Sequence, residues 1–167
     1  MNPNTANAIT VCRIVLSILL FLCPVYSVPF WIVYVSAGAT DVLDGFIARK
    51  MGITSTLGSR LDTAADFVFF VVCLIIFIPV LDIPVWLWIW FFAIVAIKIV
   101  NVYFGYRMYG KFVPSHTVLN KIAGALVFIF PFSLLWMDLV YSASFVSAVA
   151  TLAAAQEGHY IRTGVLS

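Results

Sequence analysis

The chain has 167 residues, 64% of them hydrophobic and 10% charged, with a mean hydropathy of +1.12 and a formal net charge of +2. A soluble domain carries roughly 25% charged residues, so this balance excludes a water-soluble globule. The apolar stretches have helix length and lack the ~10-residue alternation of a barrel. The expected fold is therefore all-α: a polytopic integral membrane protein, one domain over residues 1–167.

Six transmembrane helices are expected. The first runs from about Ala8 to Leu22 and ends before Pro24. Arg13 interrupts it and no small-residue cleavage site follows, so it reads as a retained helix. Asn4, Asn7, Thr10 and Arg13 recur every three residues along it. That stripe is either an interfacial segment with Arg13 snorkelling to headgroups or one wall of a polar cavity. The second span runs from about Pro29 to Arg49, with proline harmless in its first turn. The polar connection 51–56 follows, and Ser55 or Thr56 is placed to cap a third span from about Leu57 to Ile78. The fourth extends from Pro84 to Arg107, with Trp86, Trp88 and Trp90 suited to a membrane interface. A fifth, capped by Ser115 and kinked at Pro131, reaches about Trp136. The sixth covers Tyr141 to Tyr160, with Ala143, Ser144, Ser147 and Ala148 suited to close packing. Cys12, Cys23 and Cys73 lack metal or redox spacing and read as small buried hydrophobes.

Charge is distributed by side. Arg49, Lys50 and Arg60 flank one connection, Arg107 and Lys111 another, and Arg13 and Arg162 lie near the two ends. The alternate connections carry only Asp82 and Asp138. By the positive-inside rule both termini face the cytoplasm, as does the side bearing most of the acidic residues. The location expected is the cell's cytoplasmic (inner) membrane, with lipid as a partner and no nucleic acid.

Four aspartates stand out against this apolar background. Asp41 and Asp44 are three apart, Asp62 and Asp66 four apart, so each pair lies on one face of its helix. An unpartnered aspartate at mid-bilayer costs ~2.5–3.5 kcal/mol, so positive partners are required. Divalent cations bound by oxygen ligands fit that need. Internal ion pairs to Arg49, Arg60 or Lys98 are the structural alternative. A short connection makes the two helices antiparallel neighbours, so the carboxylates converge at the cytoplasmic surface of a polar cavity. Gly45 and Gly58 let a bulky ligand approach the backbone, Ala48 keeps the face shallow, and Arg49 offers a fork for phosphate.

Residues 41–66 read Asp-Val-Leu-Asp-Gly-Phe-Ile-Ala-Arg, eight residues, then Gly-Ser-Arg-Leu-Asp-Thr-Ala-Ala-Asp. This resembles the D-x-x-D-G-x-x-A-R…G-x-x-x-D-x-x-x-D pattern of the CDP-alcohol phosphotransferase family, and every defined position matches. The amino-terminal stripe is similar to that family's N-x-x-T-x-x-R pattern. The resemblance implies transfer of a phosphatidyl group from CDP-diacylglycerol to a small alcohol, with release of CMP. It implies two divalent cations, Mg2+ or Mn2+, held by Asp41, Asp44, Asp62 and Asp66, with Asp66 also the general base. Asp44, Gly45, Ala48, Arg49 and Gly58 would bind the CDP donor, and a homodimer is implied.

A basic group, Arg107, His116, Lys121 and Arg162, gathers on the expected cytoplasmic side and would suit a phosphorylated acceptor. His116, Asn120 and Gly124 share one helical face. Glycerol 3-phosphate is the first choice, followed by inositol phosphate and serine. Thr63 and Phe67 depart from the Pro and Lys usual in the glycerol-phosphate branch, and Thr63 is closer to the Ser of the serine branch. Lys98 must reach the cavity or snorkel, and Glu157 and His159 either complete the pocket or face water. A divalent-cation channel or carrier is the alternative of a different class. It would want polar residues continuing outward, whereas 31–35 and 71–78 are nearly all apolar.

Overall fold

The computed structural model describes the backbone of residues 3–51, 56–110 and 117–164, and the side chains of residues 10–40, 61, 64–110 and 117–164. Within them the chain is helical and contains no strand. The helices are α1 (Pro3–Leu19), α2 (Val28–Met51), α3 (Thr56–Phe77), α4 (Val85–Tyr109), α5 (Val118–Ser133) and α6 (Leu139–Thr163). All six follow the expected spans in order. They form two compact units, Met1–Leu81 and Asp82–Ser167.

In the first unit α1 is the central element and packs along both α2 and α3. Among the described residues α2 and α3 touch each other only sparsely, so the pair is joined through α1 more than side by side. The path from α1 into α2 is set by its residues. A 3-10 turn at Leu20–Leu22 ends in extended backbone at Cys23, and Pro24 follows. Tyr26 takes the left-handed conformation at φ 65°. A non-glycine residue there is uncommon, and its ring is held against Trp31 and Phe77, with centroids 6.0 and 6.1 Å away. Ser27 then caps α2, its hydroxyl accepting from the Phe30 amide at 3.3 Å. Pro29 therefore falls in the first turn, where no amide is missed. Phe30, Tyr34, Ala37 and Leu20 form the buried centre of this unit.

In the second unit α6 is central and packs on both α4 and α5. Ala153 and Ala154 are fully buried, which lets the helix backbones come close. Asn101 of α4 donates to the Ala154 carbonyl at 2.7 Å, and Trp90 donates its indole N–H to Thr151 at 3.0 Å. Trp90 thus spends its polar handle inside the unit, while Trp86 remains exposed. Gly110 ends α4 at φ 65°, donating to the Tyr106 carbonyl at 2.9 Å. That left-handed cap favours glycine for lack of a Cβ. Helix α5 begins at Val118 with Thr117 as its cap, the Thr117 hydroxyl accepting from the Asn120 amide at 3.2 Å. The cap expected at Ser115 is superseded by this one, and Ser115 itself lies outside the described residues. Pro131 sits in the last turn of α5, which stops two residues later. Its missing N–H marks an end more than a mid-span kink.

Helices α4 and α6 are each long and apolar enough to cross a bilayer. Twenty-five residues rise about 37 Å. The apolar helical stretches elsewhere, Thr10–Leu22, Val28–Thr40, Ala64–Val80 and Val118–Ser133, are shorter. Large apolar side chains stand exposed along α4, among them Ile89, Phe92, Ile99 and Tyr103. Soluble proteins rarely present so continuous an apolar face. The cysteines correct one expectation. Cys12 is exposed and Cys23 and Cys73 are half-buried, because a helix with an apolar outer face has no need to turn its small hydrophobes inward.

Candidate active site

The backbone places the acidic pairs as their spacing requires. Helix α2 runs unbroken through Asp41 and Asp44, and α3 runs unbroken through Asp62 and Asp66. Each pair therefore shares a helix face. Asp44 lies seven residues before the last residue of α2 and Asp62 six after the first residue of α3. The side chains of Asp41, Asp44, Asp62, Gly45, Ala48, Arg49 and Gly58 lie outside those described. Among the described residues no group of three or more His, Cys, Asp or Glu gathers as a metal site. The donor set fits a hard divalent cation in its chemistry, four carboxylates on two continuous helices. Asp66, the member whose side chain is described, is 53% exposed and so open to a ligand.

Asp66 meets a partner that sequence spacing did not supply. Arg13 of α1 donates from Nη1 to Asp66 Oδ1 at 2.5 Å. Its Nε donates to the Thr40 hydroxyl of α2 at 3.3 Å, and Thr40 in turn donates to the Ala37 carbonyl at 2.6 Å. Ser17 donates to the Arg13 carbonyl at 2.7 Å. The Arg13 side chain is only 1% exposed. This overturns the snorkelling reading, and Lys98 is paired elsewhere, with Glu157, while the side chains of Arg49 and Arg60 lie outside those described. The physical reason is the central position of α1. A guanidinium on its inner face is surrounded by α2 and α3 and must find its acceptors there, since a buried unpaired ion costs several kcal/mol. The signal was present in the sequence as the i, i+3 stripe ending at Arg13. What was missing was which helix that stripe faces. Thr10, one turn earlier, is also buried.

The second unit has a polar cluster of its own. Lys98 of α4 donates from Nζ to Glu157 Oε2 of α6 at 3.1 Å and to Asn120 Oδ1 of α5 at 3.2 Å. Asn120 Nδ2 donates to the same Glu157 oxygen at 3.2 Å. Glu157 is buried and Lys98 is 42% exposed. So Lys98 neither lines an open cavity alone nor snorkels free, and Glu157 does not face water. Each helix of the unit contributes one member. His159 is exposed beside Tyr160.

Of the candidate acceptor residues, Arg107, Lys121 and Arg162 are each exposed. Arg107 and Arg162 occupy the last turns of α4 and α6, where a cation complements the helix dipole. His116 lies outside the described residues, as does Lys111.

Known proteins resemble this chain over part of its length. It is 35% identical over 83 residues to a CDP-diacylglycerol–glycerol-3-phosphate 3-phosphatidyltransferase of Haemophilus influenzae, covering 47% of this chain and 45% of the relative. An enzyme of the same name from Wigglesworthia glossinidia brevipalpis is 34% identical over 83 residues, 47% of this chain and 46% of the relative. A chloroplastic counterpart from Oryza sativa subsp. japonica is 67% identical over 30 residues, 18% of this chain and 9% of the relative. The matches to the two bacterial relatives thus span about half of their length. No solved structure matches the chain. The family profile for CDP-alcohol phosphatidyltransferases matches residues 3–156, through both units and nearly end to end, and the chain belongs to that family.

Proposed function

We propose that the protein is a metal-dependent membrane transferase of phospholipid biosynthesis, moving a phosphatidyl group from CDP-diacylglycerol to an alcohol and releasing CMP. Family membership over residues 3–156, joined to a motif with all eight defined positions in place, carries this reading. Because the family match runs through both compact units, both are assigned to one catalytic domain. Glycerol 3-phosphate is the proposed acceptor, supported by the names of the relatives. Exposed Lys121, Arg107 and Arg162, together with His116, are the residues proposed to receive its phosphate.

In the proposed mechanism Asp44, Gly45, Ala48, Arg49 and Gly58 bind the donor, the glycines and Ala48 leaving room for the nucleotide and Arg49 forking onto a phosphate. Asp66 takes the proton from the acceptor hydroxyl. The hydroxyl oxygen forms a bond to the phosphatidyl phosphorus as the bond from that phosphorus to the CMP oxygen breaks, and CMP leaves with the electron pair. Two divalent cations, Mg2+ or Mn2+, held by Asp41, Asp44, Asp62 and Asp66, would neutralise the diphosphate. Six spans, a cavity open to the cytoplasm and cytoplasmic termini complete the proposal. It is supported by the apolar exposed faces and by the placing of Lys and Arg in alternate connections of the sequence. A homodimer is proposed from the family resemblance.

The test is purified protein in lipid nanodiscs with CDP-diacylglycerol, Mg2+ or Mn2+ and a panel of alcohols, scored for CMP. Release with glycerol 3-phosphate is expected. No release with any alcohol, or divalent-ion flux through liposomes without CMP, would refute the proposal.

A further inference from the structure

We propose that Arg13 is a positioning residue for the base Asp66, an inference that rests on the transferase reading above. Two observations carry it. Arg13 is almost wholly enclosed, yet its guanidinium bridges two helices, contacting Asp66 of α3 through Nη1 and Thr40 of α2 through Nε. Asp66 is by contrast half exposed, so the buried end of the pair is the arginine and the open end is the carboxylate.

That asymmetry has a physical consequence. An exposed aspartate samples several rotamers, whereas a charge-assisted bond to an immobile guanidinium holds one carboxylate oxygen in place. The guanidinium is itself immobile because its plane is fixed at a second point by Thr40. The Thr40 hydroxyl donates onward to the Ala37 carbonyl, which orients its lone pair toward Nε. A lysine has one nitrogen and no fork, so it cannot span α2 and α3 together in this way. Arg13 therefore sets where the proton-accepting carboxylate stands relative to the acceptor hydroxyl. Misplacing a reacting group by about 1 Å costs on the order of 100-fold in rate.

The experiment compares wild type, Arg13→Lys and Thr40→Val in nanodiscs. It measures kcat and KM for CDP-diacylglycerol from CMP release, with circular dichroism as the check on folding. Arg13→Lys should lower kcat about 10- to 100-fold. It should leave KM for the donor within about twofold, because charge and helix packing are kept while the fork is lost. Thr40→Val, nearly isosteric and less hazardous to folding, should lower kcat by roughly two- to tenfold with the same split. A merely structural arginine predicts that kcat and KM for the donor worsen together, and that result would overturn the proposal. So would an unchanged kcat in both variants. Absence of CMP release from wild type would instead remove the reaction itself and the role of Arg13 with it, which keeps the two failures distinct.

Discussion

Replacing Lys98 by Met tests the polar cluster that ties α4, α5 and α6. Glu157 would lose its charge-assisted bond from Lys98 and keep only the amide bond from Asn120. A hydrogen bond to a charged group is worth ~1.5–3 kcal/mol. Lys98 is 42% exposed, so part of that is already screened by solvent, and a loss of about 1–2 kcal/mol is expected. For a chain of this size each kcal/mol moves Tm by about 2–4 °C, which gives a fall of about 2–8 °C. Glu157→Gln keeps a side-chain oxygen for Asn120 and should cost about 1 kcal/mol. The double variant should cost less than the sum, with a coupling of about 1 kcal/mol, because each single change already removes the charge assistance from the same bond. Thermal unfolding in nanodiscs, followed by circular dichroism, provides the cycle. Additive effects, or a Lys98→Met protein as stable as wild type, would show that the three residues are neighbours without energetic connection.

Four other outcomes are expected. Asp66→Asn should lower CMP release by at least about 100-fold, the range lost with a general base, while the protein remains inserted with an unchanged circular dichroism spectrum. Chelation should abolish turnover in wild type, and Asp41→Asn or Asp62→Asn should raise the Mn2+ concentration needed for half-maximal rate; a chelator-resistant activity would remove the metal assignment. Lys121→Ala should raise KM for a phosphorylated acceptor several-fold and leave KM for CDP-diacylglycerol alone, as read from steady-state CMP release. Gly158→Ala would set a Cβ 2.7 Å from Asn101 Oδ1, displacing the bond from Asn101 to Ala154 and costing ~1–3 kcal/mol in thermal stability. Gly124→Ala meets nothing within 4 Å and should stabilise slightly, so equal effects at the two glycines would refute the packing argument.

Much of the molecule was legible in its residues alone. Helical spans follow from uninterrupted apolar runs punctuated by Pro24, Pro79, Pro84 and Gly110, because proline and glycine act through local backbone geometry that needs no tertiary partner. The acidic pairs, too, announce themselves, since i, i+3 and i, i+4 spacing decides a shared face before anything packs. Caps were less secure. Ser115 and Thr117 are equally good capping residues by type, and only the point where the chain turns into α5 selects Thr117.

The partners of buried charges were beyond the reach of sequence. Arg13 lies 53 residues from Asp66 and Lys98 lies 59 from Glu157. Spacing within a helix says which side chains stand together, and says nothing of which other helix they will meet. That depends on α1 and α6 being the central helices of their units, a property of packing among all three members. The sequence alone therefore determined the helical membrane character and the acidic motif, both written in local composition and period. Tertiary structure decided that Arg13 is enclosed and bound to Asp66, because the cost of burying an ion forces it onto whichever acceptor the neighbouring helices present.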